Sequence, residues 1–410
     1  MTVSTAAGQH TLRERNLALV AKEIFAAPEP ISRATVATRT GLTRATVSSL
    51  VDLLVDAHII AELDPVFSKK AGRPAVPLTP ASGTFFGIGL EVNVSYLGGT
   101  IVDLTGKELA RITVPGDFRA SDPTVVMKQL AHIATDLVAK ATTQHRVPGK
   151  STPVIAGVNI ALPGLIDPNK SSLRVAPNLE WENLDPIDTS AINAALDPIA
   201  GRPVDVKIGN EANYGGLAQI AFGKLSTFIY VSAEVGIGSA ILLEGDVFLG
   251  RRGWSGELGH VSVDPNGPQC SCGSRGCLEQ YAGLAALLHT AELPSTATID
   301  DLLEQLRNND PRAQAAVHAA GQALGLALSD YINLIDIHLV VLGGIFLDLA
   351  EYLIPHVDAV LKEHVLSARW SNITVVPGVV GTGASFLGAA SEVTRGVYSE
   401  PTRWVNAPAE

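Results

Sequence analysis

The sequence has little of what secreted and membrane proteins rely on. Among its 410 residues only three are cysteine, 5% are aromatic and 17% are charged. The first twenty residues carry Arg13, Glu14 and Arg15 and no apolar run, which is not the pattern of a secretory signal. The most apolar stretch, residues 324–349, contains Asp330 and other polar residues, so an ordinary membrane span is excluded. These absences predict a cytoplasmic protein without membrane contact, in which thiols stay reduced and no disulfide framework forms.

What the chain does contain is enough apolar material for two or three domains. Hydrophobic residues make up 46% of the sequence, so a sizeable core is expected. The net charge of −11 is uneven: residues 1–80 hold nine basic and seven acidic residues, a balance of +2, which leaves −13 for the remainder. A slightly basic head on an acidic body predicts a separate binding module.

The three cysteines all fall in one short loop. Cys270, Cys272 and Cys277 form the pattern C-x-C-x4-C, and His260 lies ten positions before the first of them. Three thiolates and one imidazole make a complete tetrahedral set for structural Zn²⁺, with no open position for catalysis. The alternative is three small buried hydrophobic side chains, which would have no reason to cluster in a loop rich in Gly, Ser and Pro.

The head has the helix signals of a DNA-binding domain. Residues 11–27 carry apolar side chains at helical spacing. Ser32 is placed to cap a short helix that ends at residue 38 or 39, Gly41 makes a turn, and Thr43 is placed to cap a third helix that reaches about residue 57.

The spacing around Gly41 is that of a helix-turn-helix. The small residue Ala37 lies four positions before this glycine, and the apolar residues Val47 and Leu50 lie six and nine positions after it. The small residue lets the two helices approach, and the apolar pair packs the second helix. A plain helical bundle with a basic surface is the alternative interpretation.

Two strand-like segments follow and predict a wing. They are "HIIAEL" at residues 58–63 and the segment ending "GRPAVPL" at residue 78, with a Lys/Gly/Arg tip between them. Polar side chains on the second helix suit base edges and phosphates, and an arginine in the tip suits a minor groove. The candidate DNA-binding residues are Thr43, Arg44, Thr46, Ser48 and Arg73.

The body contains a repeated pattern. Residues 84–114 and 226–250 each read as strand, turn, strand, glycine turn, strand, and each is followed by helical stretches, near residues 123–142 and 282–288. Two such halves predict a duplicated, two-lobed α/β body with a cleft between the lobes, which is a common place for a small-molecule site.

These motifs together resemble the ROK family, which comprises sugar kinases and sugar-responsive repressors. The most specific part is "GELGH…CSCGSRGCLE" at residues 256–279, while the helix-turn-helix and "GRPAVPL" are similar to the repressor branch. The resemblance implies an α/β fold in which an N-terminal winged helix-turn-helix precedes a two-lobed actin/hexokinase-like body. The implied domains are the winged head at 1–80, a smaller lobe at 81–205 completed by a C-terminal helix at 383–397, and a larger lobe at 206–382 with the zinc loop and a dimer interface.

The resemblance also allows the kinase elements of the family to be checked against this chain. The phosphate turn D-x-G-G-T corresponds to "EVNVS" at residues 91–95, where Asn93 and Val94 replace both glycines. The second phosphate loop, G-T-G-I-G, begins here with Glu234, and the catalytic aspartate of N-D-A-N is replaced by Glu211. Backbone amides cannot close on a phosphate without those glycines, and a carboxylate repels it. We therefore expect no phosphoryl transfer, since a base displaced by about 1 Å is also costly.

Sugar binding is implied by the residues that match the family motif. Carboxylates and amides are the groups that pair with vicinal hydroxyls. The metal loop would position two of these residues, since His260 is one of its ligands and Glu279 lies two positions after its last cysteine. A capping or solvated role is the alternative for each asparagine or glutamate. The implied sugar-binding residues are Asn178, Asn210, Glu211, Glu257, His260 and Glu279.

The expected function is therefore a sugar-responsive transcriptional regulator, most simply a repressor that a sugar releases from operator DNA. A homodimer, or a tetramer built from it, would place recognition helices in successive major grooves. The alternatives are a ROK sugar kinase with a regulatory DNA-binding head, and a sugar-binding protein without DNA contact. The sequence leaves open which sugar binds, whether it is phosphorylated, whether it induces or corepresses, and which operator is read.

Overall fold

The computed structural model of the protein describes residues 9–65, 76–144 and 153–405. Its head consists of three helices and a small antiparallel sheet of order β1-β3-β2, in which β2 and β3 form the predicted wing. The elements are α1 (Gln9–Phe25), β1 (Ile31–Ser32), α2 (Arg33–Thr40), α3 (Arg44–Asp56), β2 (Ile60–Glu62) and β3 (Pro77–Pro80).

Helices α2 and α3 begin at their predicted caps, and α2 ends at Thr40, one or two residues beyond its predicted end. The Ser32 side chain accepts a hydrogen bond from the Thr35 backbone N–H at 3.1 Å, and the Thr43 side chain accepts one from the Thr46 N–H at 3.2 Å. Gly41 ends α2 with φ of +72°, a left-handed conformation that glycine adopts without strain. The first helix lies two residues earlier than the predicted range of 11–27.

Packing between α2 and α3 follows the predicted helix-turn-helix pattern. Ala37 is buried on α2, and Val47 and Leu50 are buried on α3. These side chains belong to one cluster with the buried face of α1, so the three helices share a core. The second helix of the motif is thereby held with Arg44, Ala45 and Ser49 exposed.

The first lobe is a five-stranded sheet with the order β11-β7-β4-β5-β6. Strands β4, β5 and β6 form the predicted antiparallel meander. Strand β7 pairs with β4 in parallel, and β11 pairs with β7 in parallel. A separate small sheet is formed by β8, β9 and β10. The elements are β4 (Phe85–Val92), β5 (Tyr96–Asp103), β6 (Glu108–Pro115), α4 (Pro123–Gln144), β7 (Val154–Leu162), β8 (Leu165–Asp167), β9 (Ser172–Ala176), β10 (Trp181–Leu184), α5 (Ser190–Ala200) and β11 (Val206–Asn210).

The second lobe repeats this arrangement. Its sheet has the order β14-β13-β12-β15-β16, again an antiparallel meander extended by two parallel strands, which confirms the predicted duplication. The elements are α6 (Glu211–Gly223), β12 (Phe228–Ala233), β13 (Ile237–Leu243), β14 (Asp246–Val247), α7 (Glu279–Ala282), α8 (Leu284–Thr290), α9 (Ile299–Arg307), α10 (Pro311–Ile335), β15 (Leu339–Gly344), α11 (Ile345–Asp348), α12 (Ala350–His364) and β16 (Thr374–Pro377).

The chain then returns to the first lobe through α13 (Ala384–Ser399) and ends its described part with α14 (Thr402–Val405). Helix α13 packs against both β4 and α6. Glycines make this approach possible: a Cβ at Gly89 would overlap the Phe386 carbonyl, and one at Gly388 would overlap the Tyr214 carbonyl. The helix therefore contacts elements of both repeats at once.

The head is packed directly onto the body. Phe25 of α1 stacks on Tyr398 of α13 with ring centroids 4.1 Å apart, and Phe85 of β4 meets Trp404 of α14 edge-on at 5.2 Å. The head cluster continues into the body through these rings. Among the helices of the described ranges, none is both long enough and apolar enough to cross a membrane.

Candidate functional site

The four predicted metal ligands converge. The ligand atoms of His260, Cys270, Cys272 and Cys277 all lie within 4.8 Å of one another. The sulfurs of Cys272 and Cys277 are 3.6 Å apart, and the Cys270 sulfur is 3.9 Å from Nδ1 of His260. A tetrahedron with metal–sulfur bonds of about 2.3 Å separates its sulfurs by about 3.8 Å, so the donor set and its spacing fit a metal ion.

The loop that carries these residues is held by its own backbone. The Cys270 N–H donates to the Ser274 carbonyl at 2.9 Å, and the Gly276 N–H donates to the Pro268 carbonyl at 2.8 Å. Gly273 and Gly276 have φ of +93° and +65°, which only glycine adopts easily. Two of the three sulfurs belong to buried residues, while Cys272 is exposed.

The metal cluster is adjacent to a candidate sugar-binding carboxylate. His260 ends a short 3₁₀ turn at Leu258–His260, directly after Glu257. Burial raises the pKa of Glu257, and the nearby His260 ring partly offsets this effect. Because Nδ1 of His260 faces the sulfurs, its Nε2 edge is the one left for other partners.

Two further candidates are joined to the second-lobe turn between β12 and β13. The Glu279 carboxylate accepts a hydrogen bond from the Ile237 N–H at 3.2 Å. The turn residue Gly236 sits so close to Glu279 and Asn178 that a Cβ there would meet both side chains. Asn178 therefore approaches this turn from the first lobe.

Asn210 has a structural role at the start of α6. Its Oδ1 accepts from the N–H groups of Ala212 and Asn213 at 2.8 and 3.2 Å, and its Nδ2 donates to the Gly164 carbonyl at 3.1 Å. A sugar hydroxyl would have to share the asparagine with these bonds. The cap fixes the position of Glu211, the first residue of the helix.

A cavity of about 30 Å³ lies between two of the candidate sugar residues and the turns that the sequence resemblance aligns with the kinase phosphate loops. It is bordered by Asn178 and Glu211 and also by Glu91, Asn93 and Glu234. Asn93 Nδ2 donates to Glu234 Oε2 at 2.5 Å, which joins the first lobe directly to the second. A cavity of this size accommodates about one or two water molecules.

Carboxylates at this cavity are electrostatically coupled. Burial raises the pKa of Glu211 to about 8, with Glu234 and Glu257 adding to the effect. Burial, followed by repulsion from Glu234 and Glu211, holds the pKa of Glu91 well above its ordinary value. The Oε2 atom of Glu91 is buried and has no hydrogen-bond partner within the described residues.

On the head, the candidate DNA-binding residues differ in their exposure and in their hydrogen-bond partners. Arg44 is exposed and makes no ion pair with any residue that the structure describes. The hydroxyls of Thr43 and Thr46 hydrogen-bond to each other at 2.8 Å. Arg73 lies outside the described residues, so its predicted place at the wing tip stays a prediction.

Ser48 does not project freely, as the sequence pattern had indicated. Its hydroxyl accepts a hydrogen bond from Arg33 at 2.9 Å, and the same guanidinium forms ion pairs with Asp52 and Glu62, each at 2.7 Å. Ser49, which the sequence reasoning did not select, is exposed one position further on.

The sequence pattern also did not indicate which residues contact Asn93 and Glu234, the two residues that depart from the kinase pattern. It identified Asn93 and Glu234 as departures from a kinase pattern, but not their contact with each other. It gave no role to Ser385 of α13, which borders the cavity beside Glu91. No local signal connects residues that lie in different lobes.

A larger cavity of about 530 Å³ lies between the head and the back of the body. Its charged side chains largely pair with one another: Arg395 binds Glu392 and Asp246, and Lys207 lies 3.8 Å from Asp205. Of the candidate sugar residues only Asn210 borders it. Its size therefore does not make it the sugar site.

The sequence is similar to curated repressors along most of its length. The xylose repressor of Bacillus spizizenii is 29% identical over 391 residues, which cover 94% of this chain and 97% of that protein. The N-acetylglucosamine repressor of Escherichia coli is 26% identical over 361 residues, which cover 85% of this chain and 84% of that protein.

Solved structures show the same fold. A ROK family transcriptional regulator described as a homolog of the E. coli MLC protein superposes with a TM-score of 0.79 at 24% identity, over 97% of this chain and 100% of its own. The ROK hexokinase from Thermus thermophilus superposes with a TM-score of 0.57 at 26% identity, over 75% of this chain and 97% of its own. The α/β architecture, a helix-turn-helix head followed by a two-lobed hexokinase-like body, is therefore that of known regulators. The sequence model of the ROK family matches residues 88–395, and this chain belongs to the ROK family.

Proposed function

We propose that this protein is a transcriptional repressor that binds operator DNA through its head and responds to a sugar bound in the cleft. The observation that carries the proposal is the position of α13. Ser385, in its first turn, borders the cleft cavity, and Tyr398, near its end, stacks on Phe25 of the head. Relatives named as xylose and N-acetylglucosamine repressors support the same function.

Helix α13 offers a physical route between ligand and DNA. It is wedged between β4 and α6, so a change in the angle between the lobes must move it or repack its glycine-lined contacts. Interfaces packed this closely have discrete arrangements rather than a continuous range. A sugar that binds one arrangement tenfold more tightly shifts the equilibrium by about 1.4 kcal/mol per site, or twice that in a dimer.

We assign the metal cluster to structural Zn²⁺, held by His260, Cys270, Cys272 and Cys277. Bound zinc would neutralise the thiolates and fix the loop, leaving chemistry with the sugar to protein side chains. The loop then orients Nε2 of His260, adjacent Glu257, and Glu279 just after the last cysteine. Their proposed role, with Asn178, Asn210 and Glu211, is to bind sugar hydroxyls.

The protein is proposed to act without catalysis. The likeness to a hexokinase keeps a sugar kinase with a regulatory head as the alternative function. Against it, Glu91, Asn93 and Glu234 occupy the two turns that would hold nucleotide phosphates, and Asn93 and Glu234 are bound to each other. A purified protein that phosphorylates sugars with ATP would favour the alternative.

We further propose a homodimer, or a tetramer built from it, because paired recognition helices read two operator half-sites.

The division into a head at 1–80, a smaller lobe at 81–205 completed by 383–397, and a larger lobe at 206–382 is supported by three separate large hydrophobic clusters. Operator binding would place the protein in the cytoplasm, where bacterial DNA lies. The proposed DNA contacts are Thr43, Arg44, Thr46, Ser48 and Arg73.

The DNA-binding proposal is tested with Arg44→Ala on operator DNA selected from a random pool by the wild-type protein. We expect a loss of about 1–3 kcal/mol in binding if Arg44 reads a guanine, because it is exposed and forms no ion pair with the residues that the structure describes. Arg369→Ala, an exposed arginine of the body, serves as the control and should change little. Equal operator affinity in Arg44→Ala and wild type would contradict the assignment of α3 as the recognition helix.

The sugar response is tested with Glu257→Ala and a sugar found by thermal-shift screening, since a ligand of the native state raises its melting temperature. We expect this variant to bind operator normally but not to release it when sugar is added. Glu244→Ala, at an exposed position in the same lobe, is the control. An unchanged response in Glu257→Ala removes this residue from the site, and tighter operator binding of the wild type with sugar would make the sugar a corepressor.

A further inference from the structure

The inner end of the cleft is formed by two turns that face each other across the lobes. They are Asn93–Ser95, between β4 and β5, and Glu234–Gly236, between β12 and β13. Asn93 is buried and donates its side-chain N–H to the carboxylate of Glu234 at 2.5 Å. We refer to these two segments as the paired turns.

The paired turns have few donors left for an anion. The backbone N–H of Asn93 donates to the Tyr96 carbonyl at 2.9 Å, and that of Glu234 donates to the Gly236 carbonyl at 3.0 Å. The N–H of Ser95 is bound to Asn93 Oδ1 at 3.1 Å. A phosphate site needs several backbone amides that point at one place, and these three point into the turns themselves.

The titratable groups at this end of the cleft are acidic, and none is basic among the described residues. Glu91, Glu211 and Glu234 all border the cavity, and no lysine, arginine or histidine does so among the described residues. The unpartnered Oε2 atom of Glu91 leaves one buried acceptor without a donor. A phosphate group carries about −1.5 to −2 charges and would meet carboxylates here instead of cations.

A neutral sugar, unlike a phosphate, can form favourable hydrogen bonds with these carboxyl groups. Its hydroxyl groups donate hydrogen bonds, and the carboxyl groups of the cavity are acceptors when ionised. The pKa of Glu211, raised to about 8 by burial, also lets this side chain keep a proton and donate one to a ring oxygen. Asn178 and Glu211 border the same cavity as the paired turns, so a substituent of the sugar that points inward must contact those carboxylates.

We infer that the paired turns and the neighbouring Glu91 act as a specificity element, with Glu234 and Glu91 excluding phosphorylated ligands, so that the effector of this protein is an unphosphorylated monosaccharide. The inference rests on the proposed function, since it names the ligand class of the same cleft. It separates this chain from any regulator that senses a sugar phosphate.

The experiment measures ligand binding to the full-length protein by calorimetry with matched pairs. The probes are glucose with glucose 6-phosphate and N-acetylglucosamine with its 6-phosphate, with xylose as a further neutral sugar. We expect at least one neutral sugar to bind and its phosphate ester to bind at least tenfold more weakly. Glu234→Gln keeps an acceptor for Asn93 but removes the charge, and should reduce the discrimination at least threefold while changing neutral-sugar affinity less than twofold.

Glu244→Gln removes a charge from an exposed turn of the same lobe and should leave the discrimination unchanged. If the wild type bound a phosphate ester as tightly as its neutral sugar, or more tightly, the inference would be overturned. The proposed repressor function would still stand if that ester released the protein from operator DNA. An unchanged ratio in Glu234→Gln would overturn the role of the paired turns. Absence of operator release by every probe, with operator binding intact, would instead contradict the proposed sugar response.

Discussion

The paired turns border the cleft cavity, and the metal loop lies beside Glu279, which hydrogen-bonds to Ile237 next to one of those turns, yet the loop and the turns relate to the family pattern in opposite ways. The loop brings a complete set of three thiols and one imidazole within 4.8 Å. The paired turns instead place Asn93 and Glu234 in direct contact where the kinase pattern has phosphate-binding glycines. A structural Zn²⁺ would take each of these four side chains as one corner of a tetrahedron, so the loss of one would open the site. The comparison indicates that bracing of the ligand cleft and handling of phosphate are separable properties of this fold.

The largest expected effect comes from breaking the loop. Cys272→Ser should reduce bound zinc from one per chain to almost none, because a serine hydroxyl is a poor ligand for this ion. The sugar response should be lost with it, since His260 and Glu279 would no longer be fixed. Elemental analysis of gently purified protein measures the metal, and Ser271→Ala, at the exposed neighbouring position, should keep it. Wild-type protein without zinc would contradict the assignment.

An intermediate effect is expected from the carboxyl groups that border the cleft cavity beside the paired turns. The pKa of Glu211 is raised to about 8 in the folded protein, from an ordinary value near 4.5. Between these two pH values the folded state binds more protons than the unfolded state. The free energy of unfolding should therefore fall as pH rises from about 5 to about 8, and Glu91 contributes in the same direction.

Glu211→Gln removes one of these carboxyl groups and should make the free energy of unfolding less dependent on pH. Chemical denaturation at about pH 6 and about pH 8.5 measures it, and Glu244→Gln provides the comparison at an exposed site. A slope that is the same in Glu211→Gln and wild type would show that this carboxyl is ionised in the folded protein.

The smallest effect is expected from restoring the kinase base. Glu211→Asp should not produce sugar phosphorylation with ATP and magnesium, because Asn93, Val94 and Glu234 still alter both phosphate turns. A coupled assay measures turnover in the wild type and the variant. A rate near the usual kinase range of about 1–100 per second in either protein would remove the distinction between the loop and the turns.

The features that could be predicted are those encoded by neighbouring residues. The caps Ser32 and Thr43, the turn at Gly41 and the metal ligands all depend on spacings of a few residues, and they lie where the sequence places them. The duplicated meanders were also predictable, because alternating apolar segments and glycine turns are local signals. Element ends were less certain, since α1 lies two residues from its predicted position.

Contacts between distant segments were not predictable. Ser48 reads as a free polar residue on α3, but Arg33 on another helix binds its hydroxyl. Asn210 matches a sugar-binding motif, while its amide also caps α6 and reaches Gly164. In both cases a partner outside the local pattern decides what the side chain can do.

The sequence by itself determined the helix-turn-helix, the cluster of one histidine and three cysteines, the two repeated halves and the absence of glycine at residues 93, 94 and 234. It did so because each feature depends on residues close together in the chain, where backbone geometry leaves few alternatives. Only the tertiary structure decided that Asn93 meets Glu234, 141 positions away, and that α13 joins the cleft to Phe25 of the head. Such contacts depend on how two lobes and a returning helix pack, and packing is a property of the whole fold rather than of any short segment.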